Sequence, residues 1–557
     1  MQVLALLAAA LSLGCKVFAP TLSAPERWGF VWREAVTEHV VVATDVDEEK
    51  ARAVAVVAET RIQALRRVAF RGIALPPRWL RIVCFSRSED FRRAGPAMAE
   101  GVFEAGLPND IEDEPTVLLR CRDTEAPLTH EIVHALVARA IPFAPRWLHE
   151  GLATYYETME LRDGAVHVGG PVGMGSLARL LASASGAPDV RDLVGRQAEE
   201  FYPTGFSFPF VNEARTFANY RGSWALAGVL LETPEYRDHV DRLFWHGPAE
   251  PGKRIYDTIF AGLDPVKLEA EYRAYLDADH PRRAIPHRPA REVRASVREM
   301  PPAEVRILWA RLFPWERKHL ERVHGYLDEA LALAPRSAGA WFWRGWLSKS
   351  EGDLTAAARS IDVALALEPE QPMFLLGAVL VADALEEAGR LDDAGRGRRE
   401  LRLSLLEKTA RGAQALVRVA AHQRSAGKGG VALQTAWRAI DATPDCFTCY
   451  FALARAAVAA GKPGTAAFAI ERLTTYIGDI EELDLLSHER YYLELRRRSL
   501  PPGRWDARER RRQRFLHRYR RERPRWLHDG RHPLLPADGA PVPHGFDELP
   551  PPADPAP

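Results

Sequence analysis

The sequence predicts an α+β fold in three parts: a small N-terminal α/β layer, a mainly helical domain, and an all-α superhelix of repeated hairpins. Three observations carry this prediction. Up to about residue 125, short β-branched runs alternate with apolar residues at helical spacing. From 126 to about 280 the pattern is mainly helical. Beyond 303, turn residues recur at intervals of 34, from Pro335 to Pro369 and from Gly427 to Gly461. The 557 residues are 47% hydrophobic and 27% charged, the composition of a globular chain of two to four domains. Lys plus Arg and Asp plus Glu number 75 each, so no overall charge points to nucleic acid as a partner.

At the N-terminus, residues 3 to 14 form an unbroken run of apolar and small residues. It is too short to span a bilayer and has the length of a signal h-region, although no Lys or Arg precedes it. The run ends in "LSLGC" at Cys15. This resembles a bacterial lipoprotein signal, in which a small residue precedes a cysteine that becomes lipidated and N-terminal. Gly14 and Cys15 fit that pattern, while Ser12 stands where a larger aliphatic residue is usual. The resemblance implies a lipoprotein-type signal at 1–15 cleaved just before Cys15, lipidation of Cys15 as the new N-terminus, and a location in the cell envelope, lipid-anchored at the membrane or exported.

Residues 27–280 hold the α/β layer and the helical domain. "HVVVATD" (39–45), "WLRIVCF" (79–85) and "TVLLRC" (116–121) read as short strands, and 48–70 as an amphipathic helix. An Asp-Gly pair at 163–164 predicts a hairpin. Residues 281–302 are rich in Pro and Arg and read as a linker.

The region 303–480 comes next. Between Pro335 and Pro369, the residues Trp341, Gly345, Gly352, Ala357, Ile361 and Ala364 stand at signature positions, and the segment resembles a tetratricopeptide repeat. Tyr450, Leu453, Ala454, Ala466 and Ile470 match a further unit. The units near 372–412 and 413–446 are degenerate, the first with a short insertion before Gly389. The resemblance implies stacked hairpins with a concave groove for a protein partner. Because each unit buries its apolar face on its neighbours, this region is expected to fold without the preceding domain. The tail, 500–557, is basic at 508–528 and then Pro-rich, and reads as disordered. Its basic part suits nucleic acid, anionic headgroups or a solvated helix.

The chemistry is concentrated in "LTHEIVHALV" (128–137). With 17 His and 75 acidic residues, an HExxH match arises by chance about 0.07 times in this chain, so the five residues do not suffice alone. On a helix, His130 and His134 share a face and can aim at one point, and Glu131 sits beside them without being a ligand. Two fixed ligands, an open position and an adjacent base are what a hydrolytic zinc site needs. A third ligand must come from elsewhere. Val137 and Ala140 exclude the metzincin pattern, which has Gly and His there.

Instead, "PRWLHEGLATYYE" (145–157) follows after a Pro-bounded turn. Together the two segments resemble the gluzincin zinc metallopeptidases, above all the aminopeptidase-like branch with its Trp-Leu-x-Glu-Gly segment. The resemblance spans roughly 30–280 and is strong at 129–157. It implies a zincin-like peptidase domain with one Zn²⁺ per chain, His130, His134 and Glu150 as ligands, and Glu131 as general base. Glu150, Thr154 and Glu157 share one face of the second helix, so Glu157 is expected to orient a ligand histidine. Gly151 is expected to let the two helices approach closely, and His149 faces elsewhere. "FANYRGSWALAGVLLE" (217–232) resembles the downstream helix of such domains, with Tyr220 the candidate for stabilising the oxyanion.

Cys84, Cys121, Cys446 and Cys449 remain after Cys15, an even number in a chain read as exported. The CxxC at 446–449 has no second pair to complete a Cys₄ zinc site, leaving a local disulfide or two buried thiols. The reading is therefore a zinc metallopeptidase acting on protein or peptide substrates, an endopeptidase because no segment for gripping a free amine is present. The rival is a membrane-anchored, non-catalytic repeat scaffold whose peptidase-like domain only binds.

Overall fold

The computed structural model describes residues 31–469 except 71–72, 95–100, 105–110, 112–113, 122–124, 142–143, 171–185, 197, 203–208, 237–238, 240–259, 261, 288–291, 314–316, 445, 463–464 and 467–468. Cys15, the signal segment and the basic and Pro-rich tail lie outside the described residues. Among the described residues, no helix is long and apolar enough to cross a membrane.

The chain opens with strands β1 (Arg33–Val36) and β2 (Val40–Thr44), then helix α1 (Glu48–Val68). The Asp47 carboxylate caps α1 by accepting from the Lys50 N–H at 2.8 Å. Strand β3 (Leu80–Phe85), helix α2 (Ser88–Ala94), β4 (Gly101–Glu104) and β5 (Thr116–Arg120) complete the layer. Helices α3 (Glu125–Ala140) and α4 (Arg146–Glu157) follow. Next come a hairpin of β6 (Glu160–Arg162) and β7 (Ala165–Val168), then α5 (Val190–Gly195), α6 (Ala198–Phe201), α7 (Pro209–Glu232) and α8 (Pro265–Asp277). Asp163 and Gly164 turn the hairpin with φ of 54° and 69°, as a two-residue turn requires.

The segment expected to be a linker, 281–302, is instead structural. It contains β8 (Arg283–Pro286), which pairs with β7, and β9 (Ser296–Glu299), which pairs with β1. Both are outermost strands, where proline and charge are tolerated because one backbone edge has no ladder to complete. Hence their composition imitates a linker.

The main sheet has the order β4-β5-β3-β2-β1-β9. Its centre is parallel, with Val42 beside Ile82 and Ile82 beside Val117, and antiparallel strands flank it. Side chains alternate between two covered faces. Ile82, Cys84, Val117 and Leu119 pack with α1, α3 and α4 in one core. Val83, Phe85 and Leu118 face a second core, which runs into the repeats through Trp309, Phe313 and Trp343. The repeats are thus a third layer on the sheet and share a core with it.

The repeats begin with α9 (Pro302–Leu312) and α10 (Arg317–Leu333). Three further hairpins follow: α11 (Ala338–Glu351) with α12 (Leu354–Leu367), α13 (Pro372–Glu387) with α14 (Asp393–Thr409), and α15 (Ala413–Ser425) with α16 (Gly429–Ala442). Helix α17 (Phe447–Ala459) starts another unit. Gly352, Gly389, Gly427 and Gly461 take φ of 91°, 68°, 74° and 66° at equivalent helix ends. After each, the next N–H returns to a carbonyl five residues back, from Asp353 to Ser348, Arg390 to Leu385, Lys428 to Gln423 and Lys462 to Ala457. One C-terminal capping motif, used four times, therefore makes the turns that follow α11, α13, α15 and α17. Where α11 crosses α12, a Cβ on Gly345 would lie 2.9 Å from the Ala357 carbonyl oxygen, so only glycine permits that approach.

The far end of the array returns to the first domain. Arg139, in the last turn of α3, donates to the carbonyls of Ala74 at 2.7 Å, Ala442 at 3.0 Å and Asp441 at 2.8 Å. A cavity of about 800 Å³ lies between the two, lined among others by Phe103, Ala135, Ala138, Leu376, Ala415 and Pro444.

Candidate metal centre

Helix α3 carries His130 and His134 one turn apart, and their ring centroids are 4.7 Å from each other. Helix α4 begins after Pro145, whose fixed backbone sets it off from α3, and packs alongside. It brings Glu150 against both rings: Oε2 lies 3.4 Å from His130 Nε2 and 3.4 Å from His134 Nε2. Bonds of about 2.0–2.2 Å at tetrahedral angles hold donor atoms about 3.3–3.5 Å apart, so the three donors fit a zinc ion. Glu150 Oε2 and His134 Nδ1 are buried without a hydrogen-bond partner among the described residues. An orphaned carboxylate oxygen in that position is costly unless a cation meets it.

The packing that places Glu150 is tight. Gly151 does not serve the α3 crossing, as the sequence suggested. It faces α7, where a Cβ would stand 2.5 Å from the Ser223 carbonyl oxygen. Glu157 Oε2 lies 2.9 Å from His130 Nδ1, which turns the other ring nitrogen, Nε2, toward Glu150. Glu131 is 7% exposed. Strand β4 passes directly over it: a Cβ on Gly101 would lie 3.0 Å from Glu131 Cγ, and the Phe103 N–H donates to its carboxylate.

The electrostatics follow from burial. Burial raises the Glu131 carboxyl above its ordinary range, helped by the Glu150 charge and opposed by the two histidines. For Glu150 burial pushes upward, but the charge of His134 and the contacts with both imidazoles hold it well below the usual range. His130 is lifted well above an ordinary histidine: burial opposes its charge, and Glu150 and Glu157 outweigh burial. His149, whose ring is 5.6 Å from that of His134, is depressed by burial and by the charges of His134 and Arg146. It is not one of the three grouped donors.

Tyr220 stands at the rim, its ring centroid 6.3 Å from that of His130. The sequence reading missed Tyr202, whose hydroxyl donates to Glu150 Oε1 and whose ring is 6.2 Å from that of Tyr220. Burial and the Glu150 charge raise both phenols well above the ordinary tyrosine value, so both remain protonated donors. Arg146 Nη1, 3.6 Å from Glu150 Oε1, was likewise missed. Tyr202 sits in no motif; only the fold brings it here.

A second group with metal-like spacing, Glu38, His39 and Glu59, is differently employed. Glu59 accepts from Thr37 Oγ1 at 2.8 Å and the His39 N–H at 2.9 Å, and pairs with His39 Nδ1 at 2.7 Å. Both its oxygens are occupied in tying α1 to the β1–β2 turn.

No protein-family model matches the chain, and no curated protein matches it. Among solved structures it is similar to PilW, a widely conserved type IV pilus biogenesis factor, at 16% identity, over 35% of this chain and 82% of that one, with a TM-score of 0.26. It is also similar to a thermophilic TPR protein of Thermus thermophilus, at 18% identity, over 35% of this chain and 96% of that one, with a TM-score of 0.26.

Proposed function

We propose that the chain is a zinc-dependent metallopeptidase whose repeats receive the protein substrate or a partner, held at a membrane through lipidated Cys15. The observation that carries the reading is Glu150 Oε2 at 3.4 Å from both His130 Nε2 and His134 Nε2, with buried Glu131 beside them. A zinc ion on His130, His134 and Glu150 would supply Lewis acidity, polarising a carbonyl and making water more acidic. Glu131, more basic than an exposed carboxylate, accepts the proton of the attacking water. Tyr220, a protonated phenol near His130, donates to the oxygen that becomes negative. Glu157 holds His130 in position. The hairpin array supports protein recognition, since a concave stack of helices presents an extended surface.

The test measures metal content and peptide cleavage on the same purified variants, with unfolded protein and short peptides as substrates, with and without a chelator. Glu131→Gln is expected to keep about one zinc per chain. Its hydrolysis should fall by about 10²–10⁴-fold. Glu150→Ala should lose metal and activity together, and Glu157→Ala should weaken metal affinity about 10–100-fold. A zinc-loaded wild type that cleaves nothing on the panel overturns the peptidase reading and favours the non-catalytic scaffold.

A further inference from the structure

The two disulfides among the described residues differ in what they do for the fold. Cys84–Cys121 spans 37 positions and joins β3 to the residue after β5, with both cysteines at most 1% exposed. A bridge over that distance removes much freedom from the unfolded chain. Cys446–Cys449 spans 3 positions, in a turn that the Cys449 N–H already closes on the Cys446 carbonyl at 3.0 Å. As a staple it is nearly redundant.

Its surroundings suit another task. Cys446 is the N-cap of the 13-residue helix α17. Its Sγ accepts the Cys449 N–H at 3.2 Å and lies 3.3 Å from the Thr448 hydroxyl oxygen. Two donors and the positive end of a helix are the environment that stabilises a thiolate. Burial is unequal: Cys446 keeps 9% of its surface and Cys449 none. Cys446, the less buried of the two, is therefore taken as the point of attack and Cys449 as the leaving partner.

We propose that Cys446–Cys449 is a thiol–disulfide exchange site, independent of the metal centre, that takes electrons from a dithiol or from two monothiols in turn. A thiolate attacks Cys446 Sγ and forms a mixed disulfide. The Cys446–Cys449 bond breaks, and its electron pair leaves on Cys449 Sγ, which takes a proton from water. A second thiolate then attacks the donor sulfur of the mixed disulfide and releases Cys446 as a thiolate, held by the Cys449 N–H and the Thr448 hydroxyl. The donor loses two electrons and two protons to become a disulfide; the CxxC gains both electrons and one proton, and the other proton is left in the solvent.

The experiment equilibrates the native full chain in glutathione buffers of varied poise and reads each cysteine by alkylation and peptide mass spectrometry. Cys446 and Cys449 should become reduced as the buffer becomes more reducing and reoxidise on reversal, with circular dichroism unchanged and Cys84–Cys121 oxidised throughout. Reduction of Cys446–Cys449 only on unfolding, or only together with Cys84–Cys121, overturns the proposal. A second measurement uses Cys449→Ser, which leaves Cys446 free. Its alkylation near neutral pH should be about 10-fold faster in the native protein than in the same variant unfolded in urea. An equal or slower native rate overturns it as well.

Discussion

The two faces of the main sheet are built from different materials. Beneath α1 and α3 the strands present Val42, Ile82, Val117 and Leu119, and the helices answer with small residues such as Ala51, Ala55, Ala58 and Ala135. Beneath the repeats the partners are large and aromatic: Trp32, Phe85 and Phe91 meet Trp309, Phe313 and Trp343, with Trp32 and Trp309 centroids 6.1 Å apart. Small side chains let helices lie close and in one register, which a three-donor site needs. Aromatic rings bury much area per residue and hold a separately built layer onto the sheet. One face carries the His130, His134 and Glu150 cluster and the other closes the body.

The comparison is broken most directly by truncation after Pro301. Loss of α9 and all the later helices bares the aromatic face, and the remainder is expected to bind a hydrophobic dye, aggregate and lose zinc. A soluble, zinc-loaded fragment would return the repeats to the status of an independent domain. A finer cut pairs two buried tryptophans, Trp309 at 1% exposure and Trp147 at 0%. Trp309→Ala and Trp147→Ala should each cost about 3–5 kcal/mol in denaturant unfolding. Only Trp147→Ala, on the helix that carries Glu150, should also lower zinc content in the folded fraction. If both lower it equally, the faces are not functionally distinct.

The smallest effect is electrostatic. The Glu59 carboxyl, on α1, is held down to about 2: burial pushes it up, and the bonds from His39 and Thr37 outweigh burial. A carboxyl depressed on folding stabilises the fold fully above its ordinary value near 4.5, and that stability is lost as pH falls toward 2. The contribution is about 3 kcal/mol. Chemical unfolding of Glu59→Gln between pH 5 and 3 should show a shallower loss than wild type. Parallel curves would mean that Glu59 is tied no more tightly in the folded chain than in the unfolded one.

The parts of this arrangement that were legible in the sequence are those with local periods. His130 and His134 lie four apart on a helix, Glu150 stands in a recognisable second segment, and the turn glycines recur because one capping motif recurs. What was illegible is non-local. Strand β8 carries Arg283 and Pro286, and β9 Arg298 and Glu299, because they are edges, and β4 is too short to present an alternation. Tyr202 reaches Glu150 across 52 positions of sequence. The second apolar face of α9 and α11 looks like ordinary packing between hairpins until the sheet is seen beneath it.

Arg139 gives the molecule a closed circuit. The chain leaves the sheet at β9, runs out through four hairpins, and is clasped again at Asp441 and Ala442 by the last turn of α3. An open superhelix is a spring with one free end and can lengthen or recoil at little cost. Held at β9 and again at the end of α16, with α17 continuing past the clasp, it becomes an arch, and the cavity of about 800 Å³ is the space beneath its span. The footing of that arch stands about one turn beyond His134.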